Sequence, residues 1–152
     1  MSGYGKLQAD IEIKSPPSKF YEMFCKRPYH VSNASGDRIQ SCELHKGEWG
    51  KAGSAICWNY FHDGKARVSE HLIEAVNDDE NLIVFRVIDG DLLENHKEFK
   101  FTMQATPKGK GSMVHWTLEY EKHHENIQEA YSLLEFVVGM SRDIDAHLME
   151  GK

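Results

Sequence analysis

Residues 126–150 constrain the fold of this chain more than any other stretch. Projected at about 100° per residue, they place an apolar face along one side of a helix, made of Ala130, Leu133, Leu134, Val137, Met140, Ile144 and Leu148 and widened by Tyr131, Phe136 and Val138. Asn126 and Glu129 have the spacing of an N-cap residue and its reciprocal partner. A helix with so broad an apolar face needs a large apolar surface to pack against, and the rest of the chain must supply it.

That surface is predicted to consist mainly of β-strands. Residues 6–14 alternate between apolar and polar side chains, which is typical of a strand with one buried face. Six further strands are predicted at 39–46, 54–62, 66–76, 81–89, 97–106 and 112–121. Ser15-Pro16-Pro17 stops the first strand and begins a short helix that Pro28 ends, and a second short turn is expected from Val31 to Ala34. Asp63-Gly64 indicates a tight hairpin.

This order of elements predicts an α+β fold. One strand, two short helices, six strands and a long C-terminal helix are best satisfied by a curved, seven-stranded antiparallel sheet that grips the final helix. The length of 152 residues suits a single domain spanning residues 1–152.

The alternation of side chains makes the inward face of the sheet unusually aromatic. The rings predicted to face the helix are Trp58, Tyr60, Phe85, Phe99, Phe101, Trp116 and Tyr120, with Phe24 nearby. In strand 66–76 the same alternation turns Ser69, His71, Ile73 and Ala75 inward, and it also turns Arg67 inward, near the end of the sheet. Large rings on a curved sheet either close a solid core or leave a ligand cavity, and the residue pattern is compatible with both.

Composition excludes several classes of partner. The net charge is −6 and no Lys/Arg run is present, so we expect no nucleic-acid binding. No apolar run approaches 18 residues, and charged residues interrupt the N-terminal stretch, so we expect neither membrane insertion nor secretion. Cys25, Cys42 and Cys57 cannot all pair within the chain, so we expect reduced thiols and a cytoplasmic location.

Seven short motifs distinguish this chain from an arbitrary α+β sequence. They are GEWGKAGS at 47–54, CWNY at 57–60, HDGK at 62–65, VIDGDL at 87–92, ATPKG at 105–109, SMVHWTLEYEK at 112–122 and DIDAHL at 143–148. Together they resemble the plant major latex proteins, a branch of the superfamily of the major birch pollen allergen, over about residues 4–150. The resemblance implies the helix-grip fold with two short helices, and an internal cavity that binds, carries or stores small hydrophobic or amphipathic ligands. It also implies a link to defence or stress responses.

The ligand-binding residues proposed on this basis line the inward face of the sheet and the middle of the long helix. They are Phe24, Ile39, Ile56, Trp58, Tyr60, His71, Phe85, Phe99, Phe101, Trp116, Val137, Met140 and Ile144. No catalytic residue, metal or cofactor is predicted, and the chain is expected to be a monomer or a weak dimer.

Three local features allow a second interpretation. His71 could bind a ligand or act as a general base, or be satisfied by a neighbouring side chain. Cys42 and Cys57 could be nucleophiles, although buried thiols are favoured, and the glycines of loop 47–53 favour a structural turn over an anion site. Some superfamily relatives are enzymes that condense or isomerise alkaloid intermediates, so an enzymatic function is an alternative. Other superfamily relatives are hormone receptors that use mobile loops over the cavity, and the corresponding loops here would be 62–65 and 88–96. A regulatory function is therefore a further alternative, although residues 90–92 lack the receptors' gate sequence.

Overall fold

The structure is a computed structural model that describes residues 3–151; residues 1–2 and 152 of the predicted domain lie outside the described range. Within it, seven antiparallel strands form one sheet in the order β1-β7-β6-β5-β4-β3-β2. The strands are β1 (Tyr4–Ile13), β2 (Ile39–Lys46), β3 (Ala55–His62), β4 (Lys65–Asn77), β5 (Leu82–Gly90), β6 (His96–Lys108) and β7 (Gly111–Lys122). The predicted α+β helix-grip fold is confirmed.

The short helices lie where the proline pattern places them, and the long helix lies within the predicted apolar stretch. Helix α1 (Pro17–Tyr21) has proline in its first turn and continues as a π-helical turn, Glu22–Lys26. A 3₁₀ turn, Pro28–His30, then leads into α2 (Val31–Ala34). The long helix α3 (Tyr131–Glu150) packs against the sheet through Leu133, Val137, Met140 and Ile144, all buried. Among the described residues, no helix has both the length and the apolar character needed to cross a membrane.

Helix α3 begins later than the sequence predicts. The expected N-cap at Asn126 is wrong, because the helix starts at Tyr131 and its cap position, Ala130, has no side-chain cap bond. Glu129 instead bonds to the end of β7: its carboxylate accepts from the Tyr120 hydroxyl and the Lys122 amine, both at 2.5 Å. Tyr131, assigned to the apolar face, is 61% exposed. These bonds to the end of β7 therefore take the place of the predicted cap.

The inward faces of the strands follow the predicted alternation, with one interruption. Trp58, Phe85 and Trp116 are buried, as expected. In β4 the prediction that Ala75 points into the core is wrong, because an irregularity in the pairing with β5 between Ile73 and Ala75 shifts the register. The side chain that packs against the core there is Val76, which is partly buried.

Three polar anchors hold α3 against the other elements. The Trp116 indole donates to Ser141 Oγ at 2.8 Å, and that hydroxyl donates to the Val137 carbonyl at 2.7 Å. The Asp145 carboxylate accepts from the backbone N–H and the hydroxyl of buried Ser15, at 2.9 and 2.7 Å. These bonds fix the helix relative to the sheet.

The third anchor, the pair of Arg38 with Asp143, depends on a glycine. Arg38 Nη1 lies 2.7 Å from Asp143 Oδ2. A Cβ added at Gly139 would come within 2.3 Å of the Arg38 guanidinium, so glycine there lets Arg38 lie across the helix.

Candidate ligand-binding cavity

A small apolar cavity of about 50 Å³ lies between the concave face of the sheet and α3. Its walls come from six strands, the π-helical turn, the segment after β5 and the helix. The lining residues are Phe24, Ile39, Trp58, Tyr60, Ser69, His71, Phe85, Leu92, Phe101, Trp116, Leu133, Phe136, Val137 and Met140. The aromatic side chains therefore fill most of the interior and leave a small space, an outcome between the closed core and the large cavity that the sequence left open.

Most of the residues proposed from sequence meet around this cavity. Those that line it are Phe24, Ile39, Trp58, Tyr60, His71, Phe85, Phe101, Trp116, Val137 and Met140. Ile56, Phe99 and Ile144 do not: each is fully buried in the surrounding core. Phe99 packs face to face with Tyr120, with ring centroids 5.2 Å apart, and borders a neighbouring polar cleft. Alternation assigns a side chain to the inward face but not to its position along that face.

Four lining residues were absent from the proposed set. Leu133 and Phe136 belong to the apolar face of α3. Leu133 lies one turn before Val137 and Phe136 one turn before Met140, so helical periodicity identifies both as neighbours of the site. Ser69 was predicted to face inward, but its side chain is not apolar and it was left out of the proposed set. Leu92 lies in the irregular 3₁₀ segment Asp91–Glu94, where no alternation exists to show its direction.

The ring of Phe24 contacts three other rings of the aromatic wall. It stacks on Trp58, with centroids 5.9 Å apart and planes inclined by 18°. It also presents edges to Phe85 and Trp116, at 5.7 and 5.4 Å. Offset and edge-to-face pairs of this kind stabilise by about 0.5–1.5 kcal/mol each beyond the burial of area. The π-helical turn thus places one ring at the centre of the cavity wall.

His71 and Ser69 form a polar pair within this apolar wall. They lie two residues apart on β4, so both side chains point to the same face of the sheet. His71 Nε2 lies 2.9 Å from Ser69 Oγ, and both residues are buried. Burial lowers the pKa of His71 to about 3, so the imidazole is neutral at pH 7. His71 Nδ1 is also buried and has no hydrogen-bond partner.

A polar cleft of about 390 Å³ adjoins the cavity at the start of α3. The cavity and the cleft share Tyr60, Leu92 and Leu133, so these three side chains separate them. Arg67, which alternation turned inward, lies in this cleft near the β3–β4 turn. The cleft is therefore a polar neighbour of the cavity across these three side chains.

The cysteines do not form a reactive site. All three are unpaired and buried, and burial raises the pKa of Cys25, Cys42 and Cys57. A buried thiol that stays protonated is a poor nucleophile. Among the described residues, no three His, Cys, Asp or Glu side chains come together as a metal-ligating group.

Loop 47–54 forms a turn in which protein groups already accept from two of the backbone N–H groups. Gly47, Gly50 and Gly53 have φ values of 85°, 75° and 89°, which glycine adopts readily. The N–H of Glu48 donates to Ser54 Oγ at 2.9 Å, and the N–H of Gly53 donates to the Ile73 carbonyl at 2.8 Å. A phosphate cradle needs free N–H groups, and these two are already engaged.

A helix gripped by a seven-stranded antiparallel sheet, with a small apolar cavity between them, defines a protein of helix-grip architecture. Comparison with known families narrows this class. Residues 2–151 match the model of the pathogenesis-related protein Bet v 1 family, and the chain belongs to that family.

Its relatives lie in the major latex branch, as the sequence motifs indicated. The chain is 53% identical to MLP-like protein 31 of Arabidopsis thaliana over 147 residues, which cover 95% of this chain and 86% of the relative. It is 53% identical to the longer MLP-like protein 28 of the same plant, of which it spans 44%. The crystal structure of ginseng major latex-like protein 151 from Panax ginseng has a TM-score of 0.92 and 39% identity, covering 95% of this chain and 97% of that chain.

One solved neighbour is an enzyme. Norcoclaurine synthase from Thalictrum flavum, in complex with dopamine and hydroxybenzaldehyde, has a TM-score of 0.74 and covers 99% of this chain and 90% of that chain. The identity is only 14%, so this likeness is one of fold.

Proposed function

We propose that this protein binds small, largely apolar ligands in the cavity between the sheet and α3, and that it carries or stores them. The observation that carries the proposal is the cavity itself, which is walled by aromatic and aliphatic side chains around one polar pair. Concave apolar spaces with few polar groups are the usual form of small-molecule sites. A role in defence or stress responses, in the cytoplasm, is the setting we propose from the family and from the unpaired cysteines.

The size of the cavity requires that its wall move when a ligand enters. Ligand pockets usually measure about 300–1,000 Å³, and this cavity measures about 50 Å³. The segment Asp91–Glu94, which carries Leu92, has no buried residue. Phe136 is only partly buried, between Tyr60 and His62 at centroid distances of 5.6 Å. Weakly packed segments open at low free energy, so we propose that Leu92 and Phe136 yield toward the polar cleft.

A neutral fluorescent probe tests the proposal. We expect N-phenyl-1-naphthylamine to bind the wild-type protein with micromolar affinity, about −8 kcal/mol, and to shift the emission of Trp116. Val137→Phe fills the cavity from the helix side and should weaken binding at least tenfold. Glu135→Phe, on the exposed face of the same helix, should leave it unchanged. Absence of binding to the wild-type protein, or equal binding to both variants, would contradict the proposal.

Material from the native tissue offers a second test. Mass spectrometry of the purified protein should find a small, largely apolar metabolite in substoichiometric amount. Repeated absence of any such compound, together with failure to bind the fluorescent probe, would favour a closed aromatic core with no ligand.

The enzyme alternative lacks a suitable base in this cavity. A general base works best with a pKa near the working pH, whereas burial holds the pKa of His71 at about 3. We therefore expect no turnover of reactive alkaloid intermediates above a boiled control. Turnover that His71→Ala abolished without loss of folding would reverse this assignment.

A further inference from the structure

The unpartnered nitrogen of His71 is exceptional among the groups that line the cavity. Within the described residues, four buried side-chain nitrogens lack a hydrogen-bond partner: Arg27 Nε, His62 Nε2, His71 Nδ1 and His96 Nε2. Of these residues only His71 lines the cavity. Buried polar atoms are nearly always paired in folded proteins, so an unpaired one beside an internal space needs a partner that enters that space.

The imidazole is held in one place with this nitrogen unsatisfied. Its Nε2 is paired with Ser69 Oγ at 2.9 Å. Its ring stacks on Phe101 at a centroid distance of 5.4 Å and lies 5.4 Å from Phe85 and 6.5 Å from Trp58. None of these ring contacts is a hydrogen bond, and Nδ1 has no partner within the described residues. The group is therefore preorganised to pair with something other than the protein.

The chemistry of that partner follows from the charge and the tautomers of the pair. No lysine, arginine, aspartate or glutamate lines the cavity, so a charged ligand group would be buried without compensation. If Ser69 donates to Nε2, Nδ1 carries the proton and donates; if Nε2 donates to Ser69, Nδ1 accepts. A hydroxyl group can both donate and accept, so it pairs with Nδ1 in either tautomer. A lone water would find few of the two to four polar partners that buried waters use.

We propose that His71, positioned by Ser69, is the recognition point for a ligand hydroxyl, and that the preferred ligands are small apolar molecules with one phenol or alcohol group at their buried end. This inference rests on the proposed function and names the class of ligand for the same cavity. The ligand body packs against the aromatic wall, and its hydroxyl pairs with His71 Nδ1.

A matched pair of probes tests the inference. 4-Ethylphenol and 4-ethyltoluene differ by a hydroxyl in place of a methyl group, and both are measured by displacement of N-phenyl-1-naphthylamine. We expect the wild-type protein to favour the phenol by about fivefold to tenfold, the effect of one neutral hydrogen bond. 4-Ethylcyclohexanol separates phenols from saturated alcohols, and a preference for either hydroxyl compound supports the proposal.

Two variants locate the preference. His71→Phe keeps an aromatic ring in the wall but removes the nitrogen, so the preference for the phenol should disappear while binding of 4-ethyltoluene changes less than about threefold. His96→Phe is the control variant. His96 is also a buried histidine that has one nitrogen without a partner, but it borders the cleft and not the cavity. This variant should keep the wild-type ratio between the two probes.

A measurement on the wild-type protein applies even if His71→Phe fails to fold. The ¹⁵N resonance of His71 Nδ1 should shift on addition of 4-ethylphenol and stay in place with 4-ethyltoluene.

Binding of both probes with equal affinity would overturn the hydroxyl assignment and leave the carrier function intact. A preference that persists in His71→Phe would overturn the role of His71. Failure of both probes and of the fluorescent probe to bind would remove the proposed function, and this inference with it.

Discussion

At the scale of single residues, a polar cluster at the end of β7 ties the sheet to the segment before α3. In this cluster the Glu129 carboxylate accepts from the Tyr120 hydroxyl and the Lys122 amine. The Lys122 side chain is only 10% exposed, and the Glu129 carboxylate is its ion-pair partner. The bonds from Lys122 and Tyr120 hold the pKa of Glu129 below its ordinary value. This cluster secures the chain at the point where α3 begins.

Replacement of Glu129 should therefore destabilise the fold in a pH-dependent way. Glu129→Ala leaves Lys122 and Tyr120 without their acceptor and should lower the free energy of unfolding by about 1–3 kcal/mol at pH 7. A carboxylate with a lowered pKa stabilises above its ordinary pKa of 4.5, and this contribution is lost as the pH falls below that value. The difference from wild type should thus shrink between pH 7 and pH 3.5. Denaturant titrations at both pH values measure it, and a difference that grows in acid would contradict the ion pair.

Asp145 is a second residue whose replacement should lower the free energy of unfolding. Its carboxylate satisfies the N–H and hydroxyl of Ser15, which is 0% exposed. Asp145→Ala leaves both donors buried and unpaired, so we expect a loss of about 2–4 kcal/mol. Asp145→Asn keeps an acceptor oxygen and should lose less than half of that amount. Equal losses in thermal unfolding of the two variants would show that the hydrogen bonds are not the cause.

At the scale of elements, α3 has two functional parts. Val137 and Met140 roof the cavity, whereas Ile144, one turn further on, is fully buried in filled core. The sequence places all three on one helical face and cannot separate them. Their difference lies in what the sheet and Phe24 present opposite each side chain.

Truncation of Met140 and of Ile144 to alanine should differ in its effects on stability and on ligand preference. Met140→Ala removes a side chain beside an existing space, so we expect a loss of less than about 2 kcal/mol and a shift in preference toward bulkier ligands. Ile144→Ala opens a void in packed core and should cost about 2–5 kcal/mol without changing ligand preference. Chemical denaturation and probe titration of both variants measure these effects. A loss near 5 kcal/mol for Met140→Ala with unchanged binding would mean that the helix closes a solid core.

At the scale of the whole molecule, periodic features were predictable and particular contacts were not. The strand bounds agree with the sequence patterns to within about two residues, and the hairpin at Asp63-Gly64 and α2 lie where predicted, because alternation and turn residues act locally. The start of α3 was missed because Glu129 bonds to Lys122 instead of capping the helix. The register shift near Ala75 leaves no trace in composition.

The cavity itself shows the same division. His71 and most of the aromatic wall follow from alternation, but Leu92 comes from a segment with no periodicity. The volume of about 50 Å³ depends on how closely the ring of Phe24 approaches Trp58 and Trp116. Differences of an ångström in such packing decide between a cavity and a solid core, and no residue pattern reports them.

A ligand that enters the space beneath α3 must contact Met140, so the methionine methyl groups report where it binds. The chain has six methionines; Met140 lines the cavity, whereas Met103 is fully buried outside its lining. In protein labelled with ¹³C at the methionine methyl groups, bound N-phenyl-1-naphthylamine should give intermolecular NOEs to Met140 and none to Met103. Saturable binding with no NOE to Met140, or with NOEs only to other methionines, would place the ligand elsewhere and contradict the account.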